Sequence, residues 1–522
     1  MKRFLAMILI LGLLASFAAC AGDEKEAYVR TGDALVMEGQ DPEDINPPEA
    51  PPRQDVTMVY YPNRSLNPLQ SSDFTNRALF SLIYQGLFNV SSDYSVAPIL
   101  CESYRISPNN RDWTFYLDKQ ARFSDGTPLD ANDVLVTYQA AMESGYYSSR
   151  FVHVKELFIA EDGGITFKLG TAYENFPILL DVPILKAEEV TAARPLGSGP
   201  YLLEDSLTGA QLRRVKNWWC STELVLRTDS IPLVVAESPT QVRDAFEFYD
   251  VSLVCANPYS DNYADFRGDF ELWTSDNGIF LFLGCNVAFS EIISDRGLRT
   301  ALTYAIDRAT IAEVYCNGFA TPTTIACSPN SPYYSETLAK KYEYDPVRFV
   351  EALATYGRID TEIRLLVNSD DSLRVRIARY IASTLTELGM PTVTVEKPTR
   401  QYQDAIYLGS FDLYLGQTKL SANMDLTPFF SSSGAMGRNG ISNKDTYSLC
   451  RLALENKGNY YNLHQTVATE ARIVPILFAG YSIYATRGLV SDMVVGRDCL
   501  LFYDLGRTME DAMLPVIYDD EE

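Results

Sequence analysis

The sequence predicts an α/β protein, because strand-like and helix-like segments alternate along it with turn residues between them. Three stretches carry this expectation. In 115–136 (FYLDKQARFSDGTPLDANDVLV), Phe115, Tyr116 and Leu117 suit a strand, Ser124-Asp125-Gly126-Thr127-Pro128 is a dense turn, and a helix follows. In 295–308, Leu298, Ala301, Leu302, Ala305 and Ile306 fall on one helix face. In 363–389, a short apolar strand over 363–367 gives way to a helix over 374–388 that stops at Gly389.

An opening strand is expected over 57–61, followed by a turn at Asn67-Pro68-Leu69. A helix is expected over 77–88, with Gly86 at a C-terminal position that needs positive φ. In the 115–136 stretch, Gly126 supplies positive φ, Pro128 presets φ and Asp125 bonds the local backbone. Asp130 stands at the N-cap with Asp133 three residues on, and both carboxylates suit the positive end of a helix. Val134, Leu135, Tyr138 and Ala141 continue at helical spacing. Gly197-Ser198-Gly199-Pro200-Tyr201 reads as a Gly-Pro turn entering a strand. Tyr344-Asp345-Pro346 starts a helix that ends at Gly357, and 462–476 (NLHQTVATEARIVPI) reads as a helix running into a strand.

The spacing of Phe123, Asp125, Gly126, Pro128, Ala131, Asp133 and Val134 resembles the signature of the family 5 extracellular solute-binding proteins. These are the peptide-, nickel- and oligosaccharide-binding receptors of ABC importers. Further stretches resemble family landmarks in the same order. They include Asn67-Pro68-Leu69, Ile83-Tyr84-Gln85-Gly86-Leu87, 98–107 with Cys101 and Tyr104 in place of Ala and Trp, 197–201, Asn217-Trp218-Trp219, 280–286, 295–308 and 402–415. The resemblance runs from about residue 54 to 515. It implies a two-lobed periplasmic-binding-protein-like fold (type II, cluster C) with a hinge and a ligand cleft between the lobes. Lobe one is expected over 54–270 with a C-terminal return at 480–515, and lobe two over 271–479. The implied activity is capture without chemistry by a monomer, with a membrane permease as the partner that takes the ligand next.

At the N-terminus, Lys2 and Arg3 precede an apolar run from Phe4 to Leu14 and then small residues up to Cys20. This is the layout of an export signal, and the run is short for a membrane span. Residues 17–20, FAAC, resemble a lipobox with Phe where Leu is usual. That resemblance implies a diacylated Cys20 anchoring an extracytoplasmic protein to the cell membrane. Residues 21–53 read as a polar, acidic tether that ends Pro-rich.

The chain has 522 residues, 47% of them hydrophobic, enough to bury large cores, and a formal charge of −24. So acidic a surface argues against nucleic acid as a partner, and against binding anionic lipid by charge alone. None of the nine Cys forms a C-x-x-C pair, which removes zinc-ribbon and thioredoxin readings. Apart from Cys20 they read mostly as buried thiols, with Cys316 and Cys327 close enough in sequence to test for a disulfide. Only two His occur, so no multi-His metal centre is expected, and His153 and His464 each read as a structural histidine. No cofactor motif is present, nor a G-x-S-x-G or H-E-x-x-H pattern.

The resemblance also nominates ligand-binding residues. Peptide-binding members clamp the ligand's α-ammonium with an Asp in a loop of the form G-W-T-x-D-x-x-D-P. The matching loop here is 416–426, GQTKLSANMDL. Gln417 stands in place of the Trp, Leu420 falls near the amine-binding Asp, and Asp425 matches the later structural Asp. Asp425 serves as the clamp only if the loop is displaced. Gln417, Thr418, Lys419, Leu420 and Asp425 are therefore the candidate ligand-binding residues, with Lys419 favouring an anionic or carboxylate-bearing ligand. Tyr84, Phe289 and Tyr333 are placed near the cleft by family position. Two other functions stay open. A ligand-sensing lipoprotein that signals to a membrane partner would share every motif. A secreted hydrolase would need two facing carboxylates, and 68 acidic residues offer no way to pick them out.

Overall fold

The computed structural model describes residues 56–501, apart from 207–208, 221–227, 260–265, 267–268, 491–492 and 499, together with a two-stranded pair of Tyr28–Val29 and Val36–Met37. Cys20, the apolar N-terminal run, most of the expected tether and the end of the C-terminal return lie outside the described residues.

The largest sheet has 11 strands among the described residues. From one edge the order is Tyr201–Ser206, Gly209–Arg214, Ser230–Val235, Met58–Tyr60, Leu253–Ala256, Ile473–Thr486, Phe270–Cys285, Leu413–Lys419, Ile363–Asn368 and Thr392–Lys397, with Ala320–Pro322 added against Ile473–Thr486. Parallel pairs occur around Met58–Tyr60 and Ile363–Asn368, and the other pairs are antiparallel. This is the mixed α/β architecture expected from the alternating segments.

Two strands are much longer than the others. Phe270–Cys285 has 16 residues and Ile473–Thr486 has 14, so the longer reaches about 50 Å at the usual rise per residue. They pair antiparallel along nearly their whole length. The ladder breaks between Asp276 and Ile279, where Gly278 takes a φ of 76°. Before the break, 270–276 pairs with 480–486 beside Leu253–Ala256. After it, 279–285 lies between 473–479 and Leu413–Lys419. The two strands thus tie the N-terminal half to the second half. Phe270 begins the first of them close to the expected lobe boundary, but 270–276 stays with the N-terminal half and the crossing comes at the break.

The turn in the 115–136 stretch forms as expected. Gly126 has a φ of 86°, a region that costs an L-residue about 1–2 kcal/mol. Asp125 Oδ1 accepts from the Thr127 N–H at 2.9 Å. Helix Ala131–Glu143 opens on a reciprocal cap, in which Asp130 accepts from the N–H groups of Asn132 and Asp133, and Asp133 accepts from the Asp130 N–H at 3.0 Å. Val134, Tyr138 and Ala141 of this helix are buried. The helix packs on a four-stranded sheet ordered Cys101–Ile106, Asp112–Leu117, Ile165–Leu169 and Val154–Ile159, with the Tyr138 and Phe167 rings 5.1 Å apart, edge to face.

The helix expected over 77–88 is not continuous. Two short helices, Phe74–Arg77 and Phe80–Ile83, are followed by extended backbone at Tyr84 and a strand, Phe88–Val90. The Ile83 carbonyl accepts from the Gly199 N–H at 2.9 Å, and the Leu87 carbonyl accepts from the Ile99 N–H at 2.9 Å. Tertiary bonds have replaced helical ones there. Gly86 is required by close approach rather than by positive φ, since a Cβ on it would lie 2.9 Å from the Phe88 carbonyl oxygen. Cys316 and Cys327 are separate buried thiols, and Cys101, Cys285 and Cys450 are also free and buried.

Candidate functional site

A cavity of about 280 Å3 lies beside the break in the long strand pair. Asn277, Ile279 and Leu281 form its floor from one strand, and Leu477, Ala479 and Gly480 from the other. Phe74, Asn257 and Tyr259 wall it from the N-terminal half; Asp370, Asp371, Arg374 and Gln417 wall it from the second. A largely apolar lining with a few placed polar groups is the usual composition of a small-solute site.

Local chemistry fixes these groups. Asp371 is the N-cap of helix Ser372–Glu387, accepting from the Arg374 N–H at 2.9 Å, while its second oxygen accepts from Arg374 Nε at 2.8 Å. Asp370 Oδ2 accepts from the N–H and the hydroxyl of Thr399 at 2.8 and 2.7 Å, and these bonds hold its carboxyl below the ordinary range. Asn277 Oδ1 accepts from the Ile279 N–H at 3.0 Å. The Tyr259 hydroxyl donates to the Phe319 carbonyl at 3.0 Å and accepts from the Gly480 N–H at 2.6 Å, tying the two halves together beside the cavity.

The 416–426 loop leaves strand Leu413–Lys419 and runs along the junction of the halves. Of its residues, Gln417 lines the cavity. Thr418 sits half-buried in the strand, opposite Phe280. Lys419 is not free for an anionic ligand, because its ammonium pairs with Asp498 and donates to the Tyr146 hydroxyl at 2.8 Å. Asp498 also pairs with Arg150, which pairs in turn with Asp181. Burial pushes Lys419 down to about 8 against the pull of Asp498, with Arg497, Arg150 and Arg77 adding to the push. Burial alone would raise the Asp498 carboxyl, but Lys419, Arg150, Arg497 and Arg77 override it and hold it well below the ordinary range.

Leu420 is buried at the strand break, where its N–H donates to the Gly278 carbonyl at 2.8 Å and its own carbonyl accepts from Arg497. Asp425 is buried with both oxygens engaged. Oδ1 accepts from the Thr427 N–H at 2.8 Å, and Oδ2 lies 3.1 Å from His153 Nε2. His153 comes from the N-terminal half, so this pair bridges the junction. Tyr333 stacks on Tyr460 with ring centroids 4.2 Å apart, and the Tyr460 hydroxyl donates to the Asn423 carbonyl in the same seam.

Two of the residues placed near the cleft by family position lie elsewhere. Tyr84 is a core residue of the N-terminal half, its hydroxyl 3.0 Å from the Leu66 carbonyl and 3.1 Å from that of Pro195. Phe289 is 70% exposed, past the end of strand Phe270–Cys285 that is remote from the cavity, and it packs against Gly409. Phe74, Asn257, Asn277 and Asp370 were not singled out from the sequence. The one local signal was Asp276-Asn277-Gly278, turn chemistry inside a strand-like run, which marks a bulge.

Residues 95–439, well over half of the chain, match the family model for bacterial extracellular solute-binding proteins, family 5 Middle. The chain is similar to the glutathione-binding protein GsiB of Escherichia coli (strain K12), 24% identical over 355 residues that span 65% of this chain and 68% of that one. It is similar to GsiB of Salmonella paratyphi A at 23% over 358 residues, with the same coverage. Among solved structures, NikA from Brucella suis in complex with Fe(III)-EDTA superposes with a TM-score of 0.70 at 19% identity, covering 86% of this chain and 99% of that one. The ABC transporter substrate-binding protein CtaP from Listeria monocytogenes gives a TM-score of 0.68 at 18% identity, covering 83% and 94%. The fold is that of the two-lobed periplasmic binding proteins. The chain belongs to the bacterial extracellular solute-binding proteins of family 5, the extracytoplasmic receptors that bind small solutes or peptides for ABC importers.

Proposed function

We propose that this chain is the solute-capturing subunit of an ABC importer, held at the outer face of the cell membrane by a lipid on Cys20. Lobe one runs up to the break at Asn277 and Gly278 and resumes at Gly480, and lobe two is the segment between. A solute enters the cavity, the lobes close about the paired strands, and the membrane permease receives it. The observation that carries this reading is the placement of the cavity, with its floor on the two crossing strands and its walls drawn from both halves. Closure of such a site expels water and strengthens every polar contact inside it. No bond is made or broken in the captured solute.

The test is a thermal-shift screen of the purified chain across peptides, oligosaccharides, amino-acid derivatives and metal chelates. A specific ligand raises the melting temperature by mass action and contracts the particle in X-ray solution scattering. Failure of every class to do either overturns the receptor reading.

The loop chemistry adds a sharper expectation. Leu420 offers no carboxylate, and the Asp425 oxygens are taken by Thr427 and His153. Asp425→Asn should therefore leave the ratio of affinities for free and N-acetylated peptides unchanged in titration calorimetry. A ratio that collapses toward one in the variant would make Asp425 the ammonium clamp and remove this account of the loop.

A further inference from the structure

Among the described residues, three charged side chains line the cavity, Asp370, Asp371 and Arg374. Asp371 and Arg374 neutralise each other through the 2.8 Å bond from Arg374 Nε. Asp370 has no such partner. Its Oδ2 is occupied by Thr399, and its Oδ1 has no partner among the described residues. The unbalanced charge of the lining is therefore a single carboxylate at the mouth, fixed in place by two hydrogen bonds. Lys419 does not offset it, being paired with Asp498.

Deeper in, Asn277 is only 3% exposed. Its Oδ1 accepts from the Ile279 N–H, which fixes the orientation of the amide. Its Nδ2 then has no partner among the described residues, and Asn277 lines the cavity. The donor opens to the cavity instead of being sealed in protein, so it is available to an acceptor on a bound molecule. Gln417, an exposed side chain, also lines the cavity. Phe74, Ile279 and Leu281 supply apolar surface between the polar groups.

We infer that the cavity receives a small organic cation or zwitterion, its ammonium or guanidinium against Asp370 and an acceptor group against Asn277 Nδ2. This rests on the receptor reading above and adds the class of solute. An anionic solute would bring its charge beside Asp370 with no free cation among the described lining residues to balance it. The formal charge of −24 acts the same way at longer range, raising the local concentration of cations.

The experiment is titration calorimetry on the purified chain, stripped of co-purified solute, with L-arginine, putrescine, L-glutamate and succinate as probes. L-arginine is expected to bind most tightly, and putrescine, which has no acceptor group, less so. Asp370→Asn keeps an oxygen for the Thr399 bonds and should weaken L-arginine at least tenfold. Asp404→Asn removes the same formal charge from an exposed site on helix Thr399–Leu408 and should change affinity less than twofold. Asn277→Ala should weaken L-arginine more than putrescine. Tighter binding of glutamate or succinate overturns the inference and leaves the receptor reading standing. So does L-arginine affinity that ignores Asp370→Asn, or that falls equally with Asp404→Asn. Binding only to uncharged or anionic solutes in the wider screen has the same consequence. No binding of any class, in either experiment, overturns both.

Discussion

Asp498→Asn is expected to cost about 3–5 kcal/mol of stability, the usual consequence of removing one partner from a buried charge network. Asp498 is the shared anion of that network. One oxygen receives Lys419 and the Tyr146 hydroxyl, the latter at 3.2 Å, and the other receives Arg150. Arg77 stacks over the Tyr146 ring at 4.0 Å, and its Nε donates to the Asp498 carbonyl at 3.4 Å. Arg150 keeps Asp181 as a second partner, whereas Lys419 has no second carboxylate among the described residues. Asparagine fills the space without the charge, so an ammonium and a share of a guanidinium are left buried and uncompensated. On the proposed division Lys419 and Asp498 belong to opposite lobes, so the variant should also favour the open arrangement. Urea unfolding measures the first effect and solution scattering the second. Lys419→Met in the Asp498→Asn background should recover part of the loss, since it removes the stranded cation. A loss below about 1 kcal/mol would mean that the cations re-solvate, and that the network is not the buried unit described.

How far the sequence could be read depended on the chain distance over which each feature closes. The cap formed by Asp130 and Asp133 closes within one helical turn, and side-chain chemistry and spacing were enough to place it. The same holds for Gly126, whose positive φ follows from a four-residue turn. The helix expected over 77–88 failed because its acceptors were claimed from far away, the Ile83 carbonyl by Gly199 and the Leu87 carbonyl by Ile99. Family position singled out the 416–426 loop, which runs along the junction of the two halves, and Gln417, which lines the cavity. It could not show that Lys419 and Asp425 were already paired, because their partners Asp498 and His153 lie 79 and 272 residues away. The cavity itself is assembled from Phe74, Asn257, Asn277, Asp370 and Gln417, which share no local pattern. Only the break at Asn277 and Gly278 left a trace in the sequence, and it reads as a strand bulge until the second long strand is seen beside it.

The second large effect concerns acid. His464 lies on the inner face of helix Tyr460–Glu470 with 0% exposure, and neither ring nitrogen has a hydrogen-bond partner among the described residues. The Tyr460 ring lies beside it, 5.7 Å between centroids. Burial pushes its pKa down to about 3 from the ordinary 6.5, because the cation would have to form away from water. The folded pKa is the depressed one, so between pH 6.5 and 3 the unfolded chain binds a proton that the folded chain refuses. Stability is therefore complete above pH 6.5 and falls as pH drops toward 3, at a slope approaching 1.4 kcal/mol per pH unit, about several kcal/mol in all. Carboxylates titrate in part of the same window, so the wild type alone does not isolate the histidine. The comparison is with His464→Leu, which fills the site without a titrating group, by urea unfolding in steps from pH 8 to 3.5. The difference between the two proteins should be constant above pH 7 and move steadily in favour of the variant below pH 6. If the difference stays flat to pH 4, the folded protein supplies His464⁺ with a partner, and the imidazole is not sealed in the apolar interior of lobe two.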